Sequence, residues 1–193
     1  FLDDDDVLTA DALFEVAKAI NEHMAPDVIY SDEDLLTPDG TQVFRPHFKP
    51  NYSPALLLSH NYITHLLVVK SGLVQELGGL RYEFDGAQDY DLILRLTDHS
   101  YRTVHHIPKV LYHWRSSPIS TSINPTAKPE AEENARKALE SALTRRGIEG
   151  EARYGNRPHY FHVQRRISDE KVSILIPFKD KPALLRRCLD SIL

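Results

Sequence analysis

Apolar positions recur along the chain at helical and extended periods in alternation. Leu13, Val16, Ala17, Ile20 and Met24 stand at i, i+3, i+4, i+7 and i+11. This predicts an amphipathic helix over 10–23, with Thr9 as its N-cap and Pro26 closing it. Phe1-Leu2 reads as the end of a strand running into the aspartates that follow. Residues 27–30 form a short apolar run of buried-strand type, and 31–40 an acidic loop ending in the turn Pro38-Asp39-Gly40. Further strands are expected at 41–44, 64–70, 101–106 and 110–114, with Pro108 interrupting the last two. Three prolines make 45–54 a loop. Short helices are expected at 55–59 and 73–77, the second stopped by Gly78-Gly79. A longer helix covers 90–97, behind the loop 83–89. Another covers 129–146, with Pro129 at its start and Gly147 past its end. Between them, the Ser/Thr/Pro-rich stretch 116–129 reads as a mobile loop or lid. After a connector, strands are expected at 160–165 and 172–176, then a helix over 182–193 with Leu184, Leu185, Cys188, Leu189 and Ile192 on one face. Strands alternating with helices place the chain in the α/β class. The closing unit, 172–193, has no second strand to receive it and reads as the beginning of another domain.

The 193 residues are 41% hydrophobic and 26% charged, the balance of a globular domain with a real core. No window approaches the 18 apolar residues of a membrane span. The start Phe-Leu-Asp-Asp-Asp-Asp has no Met and no signal-peptide pattern, which suggests a piece of something longer. One cysteine, Cys188, leaves no internal disulfide and no Cys-rich zinc module, and fits a reducing, cytoplasmic setting. A net charge of -5 argues against nucleic acid as a partner. The charge is uneven: residues 1–44 hold twelve acids against one base, Lys18. A cation site leaves such an imbalance behind, and so does a solvated acidic face.

Three constellations carry candidate chemistry. In an extended Asp3-Asp4-Asp5-Asp6, Asp3 and Asp5 point to the same side and would hold a hard divalent cation between them. The plainer reading is an acidic turn. In Gly86-Ala-Gln-Asp-Tyr-Asp, a glycine loop runs into a helix, and Asp89 near its first turn could take a proton from a hydroxyl. Here the plainer reading is Asp89 as an N-cap, with Asp91 and Arg95 as an exposed i,i+4 pair. In Pro108-Lys-Val-Leu-Tyr-His-Trp-Arg115, His113 could ligate a metal and Arg115 could bind diphosphate oxygens, or the segment is an edge strand with Trp114 packed inward.

In this order the motifs resemble the inverting family 2 glycosyltransferases of GT-A fold. The matching residues are Phe-Leu-Asp-Asp-Asp-Asp (1–6), Asp-Val-Ile-Tyr-Ser-Asp (27–32), Phe-Lys-Pro (48–50), Gly-Gly (78–79), Gln-Asp-Tyr-Asp-Leu-Ile-Leu-Arg-Leu (88–96) and Pro-Lys-Val-Leu-Tyr-His-Trp-Arg (108–115). The resemblance implies a partial GT-A, Rossmann-like mixed sheet flanked by helices. It implies the C-terminal half of one transferase domain at 1–147, a linker at 148–171, and the first strand and helix of a second, tandem domain at 172–193. It assigns Asp3-Asp4-Asp5 to the family's DXD motif, with Asp5, Asp3 and His113 on a Mg²⁺ or Mn²⁺ ion and Asp3 and Arg115 on the donor diphosphate. Asp89 falls on the catalytic base, with Gln88 where the family usually has Glu. The implied partners are a nucleotide-diphosphate sugar and a glycan or lipid-linked glycan acceptor, in cell-surface polysaccharide synthesis. The implied setting is cytoplasmic, peripheral to the inner membrane in the parent protein.

The resemblance also implies that the front half of such a fold lies outside these residues, which would leave the isolated chain incomplete and inactive. It would have an unpaired apolar sheet edge open to self-association, which Val172–Ile176 would fill in its own chain or in a neighbour. Two other readings of the acids stay open. One is a metal-dependent phosphoryl hydrolase or nuclease that adds Asp89 and Asp91 as a second acidic cluster. The other is a non-catalytic binding domain.

Overall fold

In the computed structural model, which describes residues 1–117, 129–166 and 171–192, the central strand is β2 (Val28–Leu36), buried along all nine residues. Numbering the elements along the chain, β5 (Val104–Arg115) runs parallel to it. Its other edge is shared end to end by two antiparallel strands. β4 (Leu67–Val69) pairs with Val28–Tyr30, and β3 (Val43–His47) pairs with Glu33–Leu36. The two-residue β1 (Val7–Leu8) lies antiparallel on the outside of β5. The sheet is therefore mixed, and helices cover both faces.

On one face packs α1 (Ala12–Glu22), whose Ala12, Val16 and Ala19 meet Ile29, Ile107 and Leu111. This face is rotated from the expected one: Leu13 and Met24 stand 73% and 96% exposed. Two alanines allow the helix backbone close to β5, so small residues, not large ones, decide which side turns inward. On the other face, Val28 and Tyr30 join the core of α2 (Pro54–Leu57), α3 (Ser71–Glu76), α4 (Gln88–Leu96) and α5 (Pro129–Arg145). A hairpin of β6 (Gly150–Tyr154) and β7 (Phe161–Arg165) closes this side through Ala152 and Phe161. The stretch expected as a linker thus contains a hairpin.

Several expected boundaries move for identifiable reasons. The acidic loop at 31–40 is strand as far as Leu36, because each buried acid finds a partner described below. Pro108 does not divide β5: the register steps from Ser31–Ile107 to Asp32–Val110, and the extra residues bulge. Residues 171–178 have no regular structure, and Val172, Ile174 and Leu175 are exposed, so this segment does not join the sheet of its own chain. The following α6 (Pro182–Asp190) buries no residue. The expected lid falls outside the described residues beyond Ser117. No helix among the described residues is long and apolar enough to cross a membrane.

Gly86 decides where α4 begins. Its φ is +79°, and a Cβ there would lie 2.7 Å from the Cβ of Ala131 on α5. Gly86→Ala therefore combines a left-handed backbone with a clash between helices. We expect a loss of about 1–3 kcal/mol, or roughly 2–4 °C of Tm per kcal/mol for a chain of this size. An unchanged Tm would show that α5 yields freely.

Candidate active site

The opening acids form a turn. Asp4 and Asp5 occupy its corner, and the Asp6 N–H donates to Asp3 O at 3.3 Å. A turn brings i and i+3 together, where an extended segment would bring i and i+2. Asp3 thus converges with Asp6, and the third member is His65, with ligand atoms of all three within 4.8 Å of one another. Asp5 and His113, expected as metal ligands, lie outside this group. The Asp5 side chain is exposed. His113 Nδ1 pairs with Asp34 Oδ1 on β2 at 2.5 Å. Arg115, expected on the diphosphate, braces the turn: its N–H donates to Asp6 Oδ1 (2.7 Å) and its Nε to Asp5 O (2.6 Å). The Tyr112 hydroxyl donates to Asp6 Oδ2 at 2.5 Å. Partial burial nevertheless raises the Asp6 carboxyl above its ordinary pKa, against the opposing effect of the Tyr112 bond.

The His65 ring is stacked on Tyr112 at 4.6 Å and meets the edge of Trp114 at 5.3 Å. Its backbone is held as firmly. The buried Lys49 sends Nζ to Ile63 O (2.6 Å), to His65 O and to Glu33 Oε2 (3.2 Å). Glu33 accepts from Thr64 Oγ1 on both oxygens (2.9 Å each) and from the His65 N–H (3.2 Å). Burial works to raise the Glu33 pKa, but the bonds from His47, Lys49 and Thr64 hold it below the ordinary glutamate value. Burial lowers that of Lys49 in spite of Glu33. The remaining acids of β2 are paired likewise: Asp32 takes the Lys49 N–H (2.9 Å) and His106 Nε2 (2.7 Å). A carboxylate buried without such a partner costs several kcal/mol, so these long-range pairs are what allow the strand to continue past Tyr30.

Asp89 stands in the first turn of α4, half-buried, with Oδ2 accepting from Asn61 Nδ2 at 2.9 Å. Burial raises its pKa above the ordinary aspartate value. The Tyr90 N–H and the His65 ring lower it, and Asp3 raises it further. Asp89 is bonded to Asn61, four residues before His65, so the base candidate lies near the cation candidate. Asp91 points elsewhere. Two steps along a helix are about 200°, and Asp91 is fully buried between Arg81 (Nε, 3.0 Å) and Arg95 (Nε, 2.9 Å). The i,i+4 pair expected at the surface is therefore an interior one, and Asp91, fully buried between two arginines, is not placed to form a second metal cluster with Asp89.

Sequence reasoning named Asp3 and Asp89 and missed Asn61 and His65. Lys49 was quoted only within Phe-Lys-Pro. These three act across the fold, not along it, so no local spacing marks them.

No family model matches the chain. It is 42% identical over 195 residues to the uncharacterized protein y4gI of Sinorhizobium fredii, covering all of this chain and 21% of that protein. It is 38% identical over 194 residues to the O-antigen biosynthesis protein RfbC of Myxococcus xanthus, covering all of this chain and 15% of that one. The chain thus spans about a fifth or less of the length of these relatives. Among solved structures, S. aureus TarS 1-349 in complex with UDP-GlcNAc is matched with a TM-score of 0.46 and 16% identity over 75% of this chain and 47% of that one. Its complex with UDP gives 0.44 and 16% over 75% and 46%. The mixed α/β sheet with helices on both faces is the architecture expected from the sequence.

Proposed function

We propose that the chain carries the acceptor-activating and cation-binding part of an inverting glycosyltransferase. In the whole protein it would transfer a sugar from a nucleotide-diphosphate donor to a hydroxyl of a glycan or lipid-linked glycan. The observation that carries this is the short stretch 61–65, which bonds Asp89 through Asn61 at one end and joins Asp3 and Asp6 through His65 at the other. The two carboxylates suit Mg²⁺ or Mn²⁺ and the imidazole favours Mn²⁺ of the two, and the three ligand atoms lie within 4.8 Å of one another. Asp6 keeps acceptor capacity beyond its bonds to Tyr112 and Arg115. Held there, the ion would neutralise charge on the leaving diphosphate.

The rest is the work of the chain's own groups. The raised pKa of Asp89 makes it a better proton acceptor than an exposed aspartate. It takes the hydroxyl proton as the acceptor oxygen bonds to the anomeric carbon and the bond from that carbon to the diphosphate oxygen breaks. Attack opposite the leaving group inverts the centre. Asp91 is locked into an arginine pair, which disfavours the two-metal hydrolase reading.

The test uses the protein at its native length with Mn²⁺, a panel of nucleotide-diphosphate sugars and glycan acceptors. Acceptor-dependent release of nucleoside diphosphate, with an inverted anomeric configuration by NMR, is expected. Phosphodiester turnover in place of sugar transfer would overturn the reading. Mn²⁺ binding checks the cation group separately: His65→Gln is expected to weaken it at least tenfold, and unchanged affinity would remove His65 from the site.

A further inference from the structure

The structure assigns a role to Asn61 beyond the residues named above: we propose that it is a positioning residue that fixes the plane in which the Asp89 carboxylate meets the acceptor. The inference rests on the reading of Asp89 as the base.

Asn61 makes two bonds of opposite sense. Its Nδ2 donates to Asp89 Oδ2 at 2.9 Å, and its Oδ1 accepts from the Thr64 N–H at 3.4 Å. A carboxylate offers only acceptors and a backbone N–H only a donor, so the amide has one orientation that serves both. The segment behind it is immobilised. Thr64 is held at a φ of 39° by its two bonds to Glu33, and Lys49 ties Ile63 O and His65 O to the same glutamate. A non-glycine residue in the left-handed region persists where surrounding bonds over-determine it. Asn61 is therefore anchored, through Thr64 and Glu33, to the buried central strand. With the Tyr90 N–H also on this carboxylate, the Asn61 bond to Oδ2 fixes the direction of the lone pairs that remain for the acceptor. The same five residues bring His65 to Asp3 and Asp6, so one loop sets the distance between the proton acceptor and the cation group.

Asn61→Asp separates this role from simple support of the loop. An aspartate keeps the acceptor for the Thr64 N–H but has no donor for Asp89 and places a like charge against it. Asn61→Ala removes both bonds. In the native-length protein, both variants are expected to lose about 10–100-fold in kcat, with the donor KM and the Kd for Mn²⁺ within twofold of the original and Tm preserved in Asn61→Asp. A loop-supporting role instead separates the two variants, with Asn61→Asp close to wild type and Asn61→Ala impaired, and that result overturns the proposal. Asp89→Asn is the control. If it is inactive while Asn61→Asp transfers at the wild-type rate, only the positioning role falls. If Asp89→Asn itself transfers normally, the reading of Asp89 falls and the positioning role with it.

Discussion

Asp89→Asn is expected to lower kcat by about 10²–10⁴-fold, the usual contribution of a positioned base, while donor binding stays intact. The side chain keeps its shape and can still accept from Asn61 through its carbonyl oxygen, so what is lost is the proton acceptor. The sign of the pH effect follows from burial, which raises the carboxyl pKa in the folded chain. The protonated form is then favoured by folding. Its contribution to stability is complete below the ordinary aspartate value and is lost as pH rises through the raised one. Catalysis needs the ionised form and gains across the same window. Asp89→Asn should therefore remove the acid limb of the rate profile and make the protein at neutral pH as stable as before, or slightly more so. An active site that costs stability is a common trade. Unchanged kcat in Asp89→Asn, or a variant that is inactive because it is unfolded by circular dichroism, would contradict this account.

Asp91→Ala is expected to have the opposite signature: a large loss of stability, about 3–5 kcal/mol, the scale for removing one partner of a buried ion pair. Arg95 is 7% exposed and has Asp91 as its counter-charge. Its remaining donors reach Leu77 O (2.7 Å) and Gly79 O (2.6 Å), carbonyls at the end of α3 that the helix cannot satisfy itself. One pair thus ties α4 to α3 and, through Arg81, to the turn of 3₁₀ helix at Tyr82–Phe84. Denaturant titration reads the loss. The double variant Asp91→Leu/Arg95→Leu should lose less than Asp91→Ala, because the buried Arg95 charge is gone and Arg81, its side chain 29% exposed, can turn to solvent. A loss under about 1 kcal/mol for Asp91→Ala would mean that water reaches Arg95, against its burial.

What the sequence disclosed divides along physical lines. Elements set by local pattern were legible: the apolar start of β2, the helix behind Gly86 and the stop at Gly78-Gly79, where φ is +78° and +71°. The place of Asp89 in the first turn of α4 was legible because a glycine loop entering a helix puts its first acids there, while its role as base came from the family resemblance. Elements set by distant partners were not. Residues 31–36 read as loop because three acids in a strand are improbable until His106, His113, Lys49 and His47 are known to face them. The pairing of Asp3 with Asp6 depends on a turn that Arg115 and Tyr112 brace from more than a hundred residues away. The buried face of α1 was misjudged because size-blind periodicity counts Leu13 above Ala12.

Asp89 and Asp91 sit on nearly opposite sides of α4, the first facing Asn61 and the second anchoring the helix. Their spacing acts as a ruler. Lengthening it by one residue would place the two carboxylates only about 60° apart on the same side, and either the anchor or the reactive group would be forfeited. Drift in this stretch is therefore constrained in phase as well as identity, and insertions are expected to be tolerated ahead of Gly86 but not between the two acids.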